Sequence, residues 1–93
     1  MKTKAKRPLP RSFKMPWGSG EITEEASYMG KWHEPTIQLM TFENGTTAIR
    51  FAHYAHGSFQ RSPLIIDTKD LAKLRKVIAK NTELKRLLKS LVK

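Results

Sequence analysis

Arginine, histidine and tyrosine crowd one stretch of this chain, FENGTTAIRFAHYAH, in the positions Arg50, His53, Tyr54 and His56. These side chains can do two kinds of chemistry. A guanidinium beside aromatic rings can hold a phosphate and stack a base. A His-x-x-His pair can ligate a metal when a helix puts both rings on one side. On a strand, positions three apart face opposite sides, so His53 and His56 read as turn histidines and no metal site is expected. The catalytic signatures are missing: no Gly-x-Ser-x-Gly, no glycine loop followed by Lys-Ser/Thr, and no His-Glu-x-x-His. Glu24 and Glu25 could be taken for an acid–base pair, but adjacent residues diverge, and a solvated loop accounts for them better. The sequence therefore predicts a protein that is not an enzyme, with no cofactor and no small-molecule substrate.

Binding chemistry is better represented. Lys31, Arg50 and Arg61 are the basic residues of the middle segment, and Trp32, His53, Tyr54 and Phe59 lie close to them in sequence. Aromatics set among a few cations suit single-stranded nucleic acid, whose bases stack at about 1–3 kcal/mol each while cations hold the backbone. The competing reading gives these residues to the fold, with Trp32 in the core, Tyr54 and Phe59 packed on a sheet edge, and Arg50 paired with a glutamate across the strands.

Charge supports the binding reading. The 93 residues carry 18 Lys and Arg against 8 Asp and Glu, unevenly spread. Residues 1–14 hold six positive charges and no negative one, residues 15–66 three and five, and residues 67–93 nine and three. Two basic ends around a nearly neutral middle point to a polyanionic partner, with nucleic acid the commonest inside a cell. Lys4, Lys6, Arg7 and Arg11 on the first end, and Lys73 and Lys76 on the last, are the expected phosphate contacts. The chain has no cysteine, no apolar run long enough for a signal peptide and none that could span a bilayer. An intracellular protein is expected, cytoplasmic and nucleoid-associated or nuclear, with no membrane partner.

The elements that would position these groups follow from spacing. Residues 1–17, with three prolines and no period, predict a flexible basic arm, and residues 18–93 a single domain. Ile22, Glu24, Ala26 and Tyr28 are expected on one face of a first strand that ends at Gly30. Ile37, Leu39 and Thr41 alternate with Gln38, Met40 and Phe42, and Asn44-Gly45 offers a two-residue hairpin turn. That turn would pair Met40 with Ile49 and Gln38 with Phe51. The core face would then hold Met40, Phe42, Ile49 and Phe51, leaving Arg50 and Tyr54 on the opposite, open face. FQRSPLIID reads as a further strand with Pro63 at a bulge or edge. Asp67 or Thr68 then caps a helix whose stripe is Leu71, Leu74, Val77 and Ile78. At Asn81-Thr82 the helix either stops and restarts or runs on with Asn81 at a heptad position; the stop is favoured. The leucines of this segment exceed what a short hairpin can cover, which predicts a homodimer.

From Thr36 onward the order of features resembles the transcriptional coactivator family called positive cofactor four, a group of single-stranded-DNA-binding proteins. The resemblance covers Ile37 to about Val77. It rests on a strand ending in Phe42, a glycine turn, a return strand ending in an aromatic at Tyr54, a turn, and PLIIDTKDLAKLRKVI as a last strand feeding a capped amphipathic helix. The resemblance implies dimerisation through the helix and a curved antiparallel sheet that grips unwound DNA, with Tyr54 and Arg61 in the gripping set. Arg50 has no counterpart by register. GSFQRSP stands where the family has a lysine-rich loop, and NTELKRLLKSLVK extends past its helix.

Together these readings predict an α+β fold: a curved antiparallel sheet of three to four strands followed by one long or two short C-terminal helices, in a homodimer. The predicted function is non-enzymatic binding of nucleic acid, with single-stranded DNA preferred and RNA an open alternative, in transcription or DNA maintenance. The predicted contacts are Lys4, Lys6, Arg7, Arg11, Lys31, Arg50, Tyr54, Phe59, Arg61, Lys73 and Lys76. Two rivals are a protein-interaction module built on the helical leucines and a helix-turn-helix binder of duplex DNA.

Overall fold

The turn at Asn44-Gly45 sets the register of the whole sheet. In the computed structural model, which describes residues 7–93, strand β3 (Glu34–Phe42) and strand β4 (Thr47–Ala55) flank it. Gly45 adopts φ +91°, a conformation that glycine reaches without a Cβ clash. The Phe42 amide donates to the Thr46 carbonyl, and the Asn44 side chain accepts from the Thr46 amide and hydroxyl. Phe42 thus stands opposite Thr46, and the loop has three residues rather than two. One extra residue slides the pairing by one: Thr41 faces Thr47, Met40 faces Ala48, and Gln38 faces Arg50. With a side-chain period of two, this exchanges the faces. Arg50 and Tyr54 share the buried face with Met40 and Gln38, while Ile49 and Phe51 turn to the other.

Strand β2 (Gly18–Ser27) pairs with β3, and β1 (Arg11–Met15) pairs with β2. Residues 11–17 are therefore not part of an unstructured arm. The five-residue strand RSFKM alternates toward and away from the interior, and its backbone finds partners along Gly18–Ile22. Gly20 permits the close approach, since a Cβ there would sit 2.1 Å from the Thr41 carbonyl oxygen. In β2 the pairing shifts between Ile22 and Glu24. This bulge puts Ile22 and Glu25 on the inner face and Glu24 and Ala26 on the outer one, where simple alternation would keep Ile22, Glu24 and Ala26 together.

The expected single strand FQRSPLIID is split in two. β5 (Ser58–Phe59) and β6 (Leu64–Asp67) both pair with β4, β5 at its C-terminal end and β6 against Ala48 to Phe51. Between them Ser62 takes φ +62° immediately before Pro63, breaking the ladder. The sheet accordingly has six strands in antiparallel order β1-β2-β3-β4-β5, with β6 sharing the edge of β4. Laid flat, β1 and β4 would lie about 14 Å apart. Instead Arg11 of β1 reaches the Tyr54 hydroxyl of β4 at 3.3 Å, so the sheet curls around its inner face.

Asp67 accepts from the Lys69 amide at 2.9 Å and opens a single 3-10 turn (Thr68–Asp70), which leads into α1 (Leu71–Ile78). The helix stops and α2 (Thr82–Val92) restarts at Asn81, whose extended backbone (φ −123°, ψ 92°) cannot continue a helix. Asn81 donates its side-chain amide back to the Val77 carbonyl, and its side-chain oxygen makes no capping bond to the new N-terminus. Neither helix buries a residue. Among the described residues no helix is long and apolar enough to cross a membrane.

Candidate nucleic-acid interface

The inner face of the curled sheet is polar. Its buried apolar residues are Ile22, Met40, Ala48 and Tyr54, and beside them Glu34, Thr36, Gln38 and Arg50 are also buried. Three guanidinium groups meet two carboxylates there. Arg7 forks onto Glu34 at 2.9 and 3.3 Å, and Arg11 forks onto Glu25 at 2.8 and 3.3 Å, the bidentate geometry that makes such pairs strong. Ser27 donates to Glu34 at 2.8 Å. Gln38 donates to Glu25 at 2.7 Å and to the Tyr54 hydroxyl at 3.3 Å, and accepts from Arg50 Nε at 2.7 Å. Arg7 also lies 3.9 Å above the Tyr54 ring, and Arg50 lies 4.6 Å from the centre of Phe59.

These contacts fix the ionisation of the group. The Glu34 bond, outweighing burial, raises Arg7 above an ordinary guanidinium, and the Glu25 bond does the same for Arg11. For Glu25, burial opposes the charge. The bonds from Arg11 and Gln38, with the charges of Arg11 and Arg7, prevail and hold its carboxyl below the usual carboxylate range. Arg50 goes the other way. Burial lowers it, and the nearby Arg11 charge adds to that.

The expected contact residues therefore divide into groups. Lys4 and Lys6 lie outside the described residues. Arg7 and Arg11, expected to be free on an arm, are consumed by Glu34 and Glu25. Arg50 (6% exposed) and Tyr54 (8% exposed) sit inside the network rather than on an open face, for the register reason given above. Arg50 bonds a glutamine across the strands, not a glutamate. Phe59 is half-exposed at the edge and meets Tyr54 edge-on at 5.4 Å. Arg61 lies on the far side, at the rim of a cleft of about 330 Å³ floored by Ile37 and Phe51 and bounded by Leu91. Lys73 and Lys76 are exposed on α1, with Lys73 3.4 Å from Asp70.

Glu25 and Trp32 depart from their sequence reading. Glu25 is no solvated loop residue, because the β2 bulge aims it inward. His33 approaches His53 edge-to-face at 5.2 Å, although His56 is the histidine with metal-like spacing. Trp32, expected in the core, is 78% exposed. It stands in the β2–β3 connection, Tyr28–His33, with the Lys31 ammonium 5.1 Å over its ring and Tyr28 and Met29 also exposed. This rim borders a hollow of about 200 Å³ that extends to Tyr54 and His56. The prominence of Tyr28 and Met29 was missed, since nothing in their spacing separates a surface rim from a strand end.

No protein-family model matches the chain, and no curated protein or solved structure matches it either.

Proposed function

We propose that this protein binds single-stranded nucleic acid, DNA or RNA, without catalysing a reaction, in transcription or DNA maintenance. The observation that carries the reading is the rim of the β2–β3 connection. An almost fully exposed Trp32 lies under the Lys31 ammonium beside exposed Tyr28, at the mouth of a hollow the size of a base. A tryptophan held in water gains by stacking, and every base offers a face for it. The exposed lysines and arginines of α1 and α2, opposed within the helices by Glu83 alone, supply sequence-independent attraction to phosphates. This role agrees with the resemblance to positive cofactor four, although the stacking residues now proposed lie on the rim and not at Tyr54.

The active unit we propose is a homodimer. Ile37, Leu39, Ile49, Phe51, Leu64 and Ile66 share the outer face of the sheet by register, and none of them is buried. The leucines of both helices are exposed as well. The radius of gyration is 14.7 Å, against about 12 Å for a compact domain of this length, so the helices do not close over the sheet as in a self-sufficient monomer. The same exposed leucines favour a second reading, a module that recruits a different protein.

Titration of single-stranded and duplex oligonucleotides at two salt concentrations tests the reading. Single-strand preference with a steep salt slope is expected. Duplex preference would transfer the function to α1 and α2 as a helix-turn-helix, and no binding at low salt would leave the recruitment module.

A further inference from the structure

Three arginines and two carboxylates share the inner face, and the arrangement leaves Arg50 over. Arg7 takes Glu34 and Arg11 takes Glu25. Arg50 has only the neutral amide of Gln38, through Nε, and no carboxylate lies within ion-pair distance of it among the described residues. Its two Nη nitrogens donate to no described group. Neither is sealed from solvent, for among the described residues the one sealed and unpartnered side-chain nitrogen is Arg7 Nε. A charge buried without a counter-charge is costly, and proteins rarely keep one that nothing uses.

The surroundings define what would fit. Phe59 covers the face of the guanidinium, and Gln38 occupies its Nε. What stays open is the Nη edge, a planar fork of N–H donors matched to two oxygens of one anion. Phe59 is half-exposed and belongs to a two-residue strand, so the cover over Arg50 is thin and lies at the sheet edge. Burial, with the nearby Arg11 charge, outweighs the charges of Tyr54 and Glu25 and leaves Arg50 below an ordinary guanidinium.

We propose that Arg50 is a phosphate subsite, its Nη edge receiving one backbone phosphate of a bound strand beneath the Phe59 ring. The subsite rests on the nucleic-acid reading above and extends it from the exposed rim into the inner face.

The test is R50M, which keeps the length of the side chain and removes its charge. Each phosphate contact contributes about 0.7 to the log–log salt slope of single-strand binding. R50M is expected to lower that slope by about 0.7 and affinity by roughly tenfold at low salt, with some loss of thermal midpoint because the Gln38 oxygen loses its donor. An unchanged slope in a folded R50M would overturn the proposal and make Arg50 a structural member of the network. Should R50M not fold, R50K carries the test, because a point charge cannot fork. A several-fold loss of affinity supports the subsite, and wild-type affinity overturns it. Inorganic pyrophosphate separates the subsite from the wider reading. If oligonucleotides do not bind but pyrophosphate raises the thermal midpoint of the wild type and not of R50K, the anion subsite stands and the nucleic-acid function falls. No shift in either protein, with no oligonucleotide binding, overturns both.

Discussion

Gln38 stands directly opposite Arg50 in the β3–β4 ladder, and its amide oxygen accepts the Arg50 Nε–H at 2.7 Å while its amide nitrogen donates to Glu25 at 2.7 Å. Only a side chain that both accepts and donates can bridge a guanidinium and a carboxylate in this way. At 1% exposure Gln38 is the hinge of the inner network, tying Arg50 on β4 to Glu25 on β2 and, through Glu25, to Arg11 on β1. The curl of the sheet is held by polar bonds where most small domains use apolar packing.

Replacing this amide with a similar apolar volume should therefore be costly. In Gln38→Leu the Arg50 Nε–H loses its partner, while Glu25 Oε2 loses one donor and keeps Arg11. An unpaired buried polar group costs about 1–3 kcal/mol, more when it is charged. A loss of roughly 3 kcal/mol in urea unfolding is expected. A loss under about 0.5 kcal/mol, the usual range for surface changes, would show that the network does not stabilise the fold.

Glu25 makes the same network sensitive to acid. Its carboxyl is held below the usual range, and a carboxylate whose folded value is depressed contributes stability that is complete above its unfolded value, about 4.3. That contribution drains away as pH falls through the lower folded value. The wild type should thus lose stability below about pH 4, and Glu25→Gln should lose less over the same window. At pH 7 the variant leaves Arg11 without its counter-charge, at a cost of about 3 kcal/mol. Urea midpoints at pH 7 and pH 3 check both statements. Parallel pH profiles for the two proteins would mean that Glu25 is not the acid-sensitive group.

The places where sequence and structure part share a physical cause. The strands of the Asn44-Gly45 hairpin, the break at Asn81 and the cap at Asp67 are local, and turn chemistry and capping residues announce them. The face carried by each strand is not local. It depends on whether a turn has two residues or three and on whether a strand bulges, and each such step inverts every side chain beyond it. Arg50, Tyr54 and Glu25 were all misplaced by steps of one residue. β1 was hidden for a different reason. RSFKM alternates, but its charges and the prolines on either side of it resemble a tail until Glu25 is known to wait for Arg11 inside. Trp32 could not be placed because no periodicity governs a loop.

Trp32 is where stability and binding should separate. Its ring is 78% exposed with the Lys31 ammonium over it, so Trp32→Ala should change the unfolding free energy by less than about 0.5 kcal/mol. Loss of one stacked base costs about 1–3 kcal/mol, a fall of roughly 5- to 150-fold in single-strand affinity. Fluorescence of the wild type gives a second readout, since a base stacked on Trp32 should quench its emission. Trp32→Ala binding with wild-type affinity would move the interface away from the β2–β3 connection.

The helices should be the seam of the assembly. Light scattering is expected to give the wild type close to twice the 10.7 kDa chain mass. Leu74 on α1 and Leu88 on α2 are both partly exposed and belong to the apolar stripes of helices that bury no residue against the rest of the described chain. A carboxylate buried at either position in an interface would lack a partner, so Leu74→Glu and Leu88→Glu should each return the protein to a single-chain mass. On an isolated, solvated helix the same substitutions would cost little, because glutamate is a good helix former. A wild type that scatters as one chain, with both variants equally folded, would leave the stripes to a different partner and remove self-association from the mechanism.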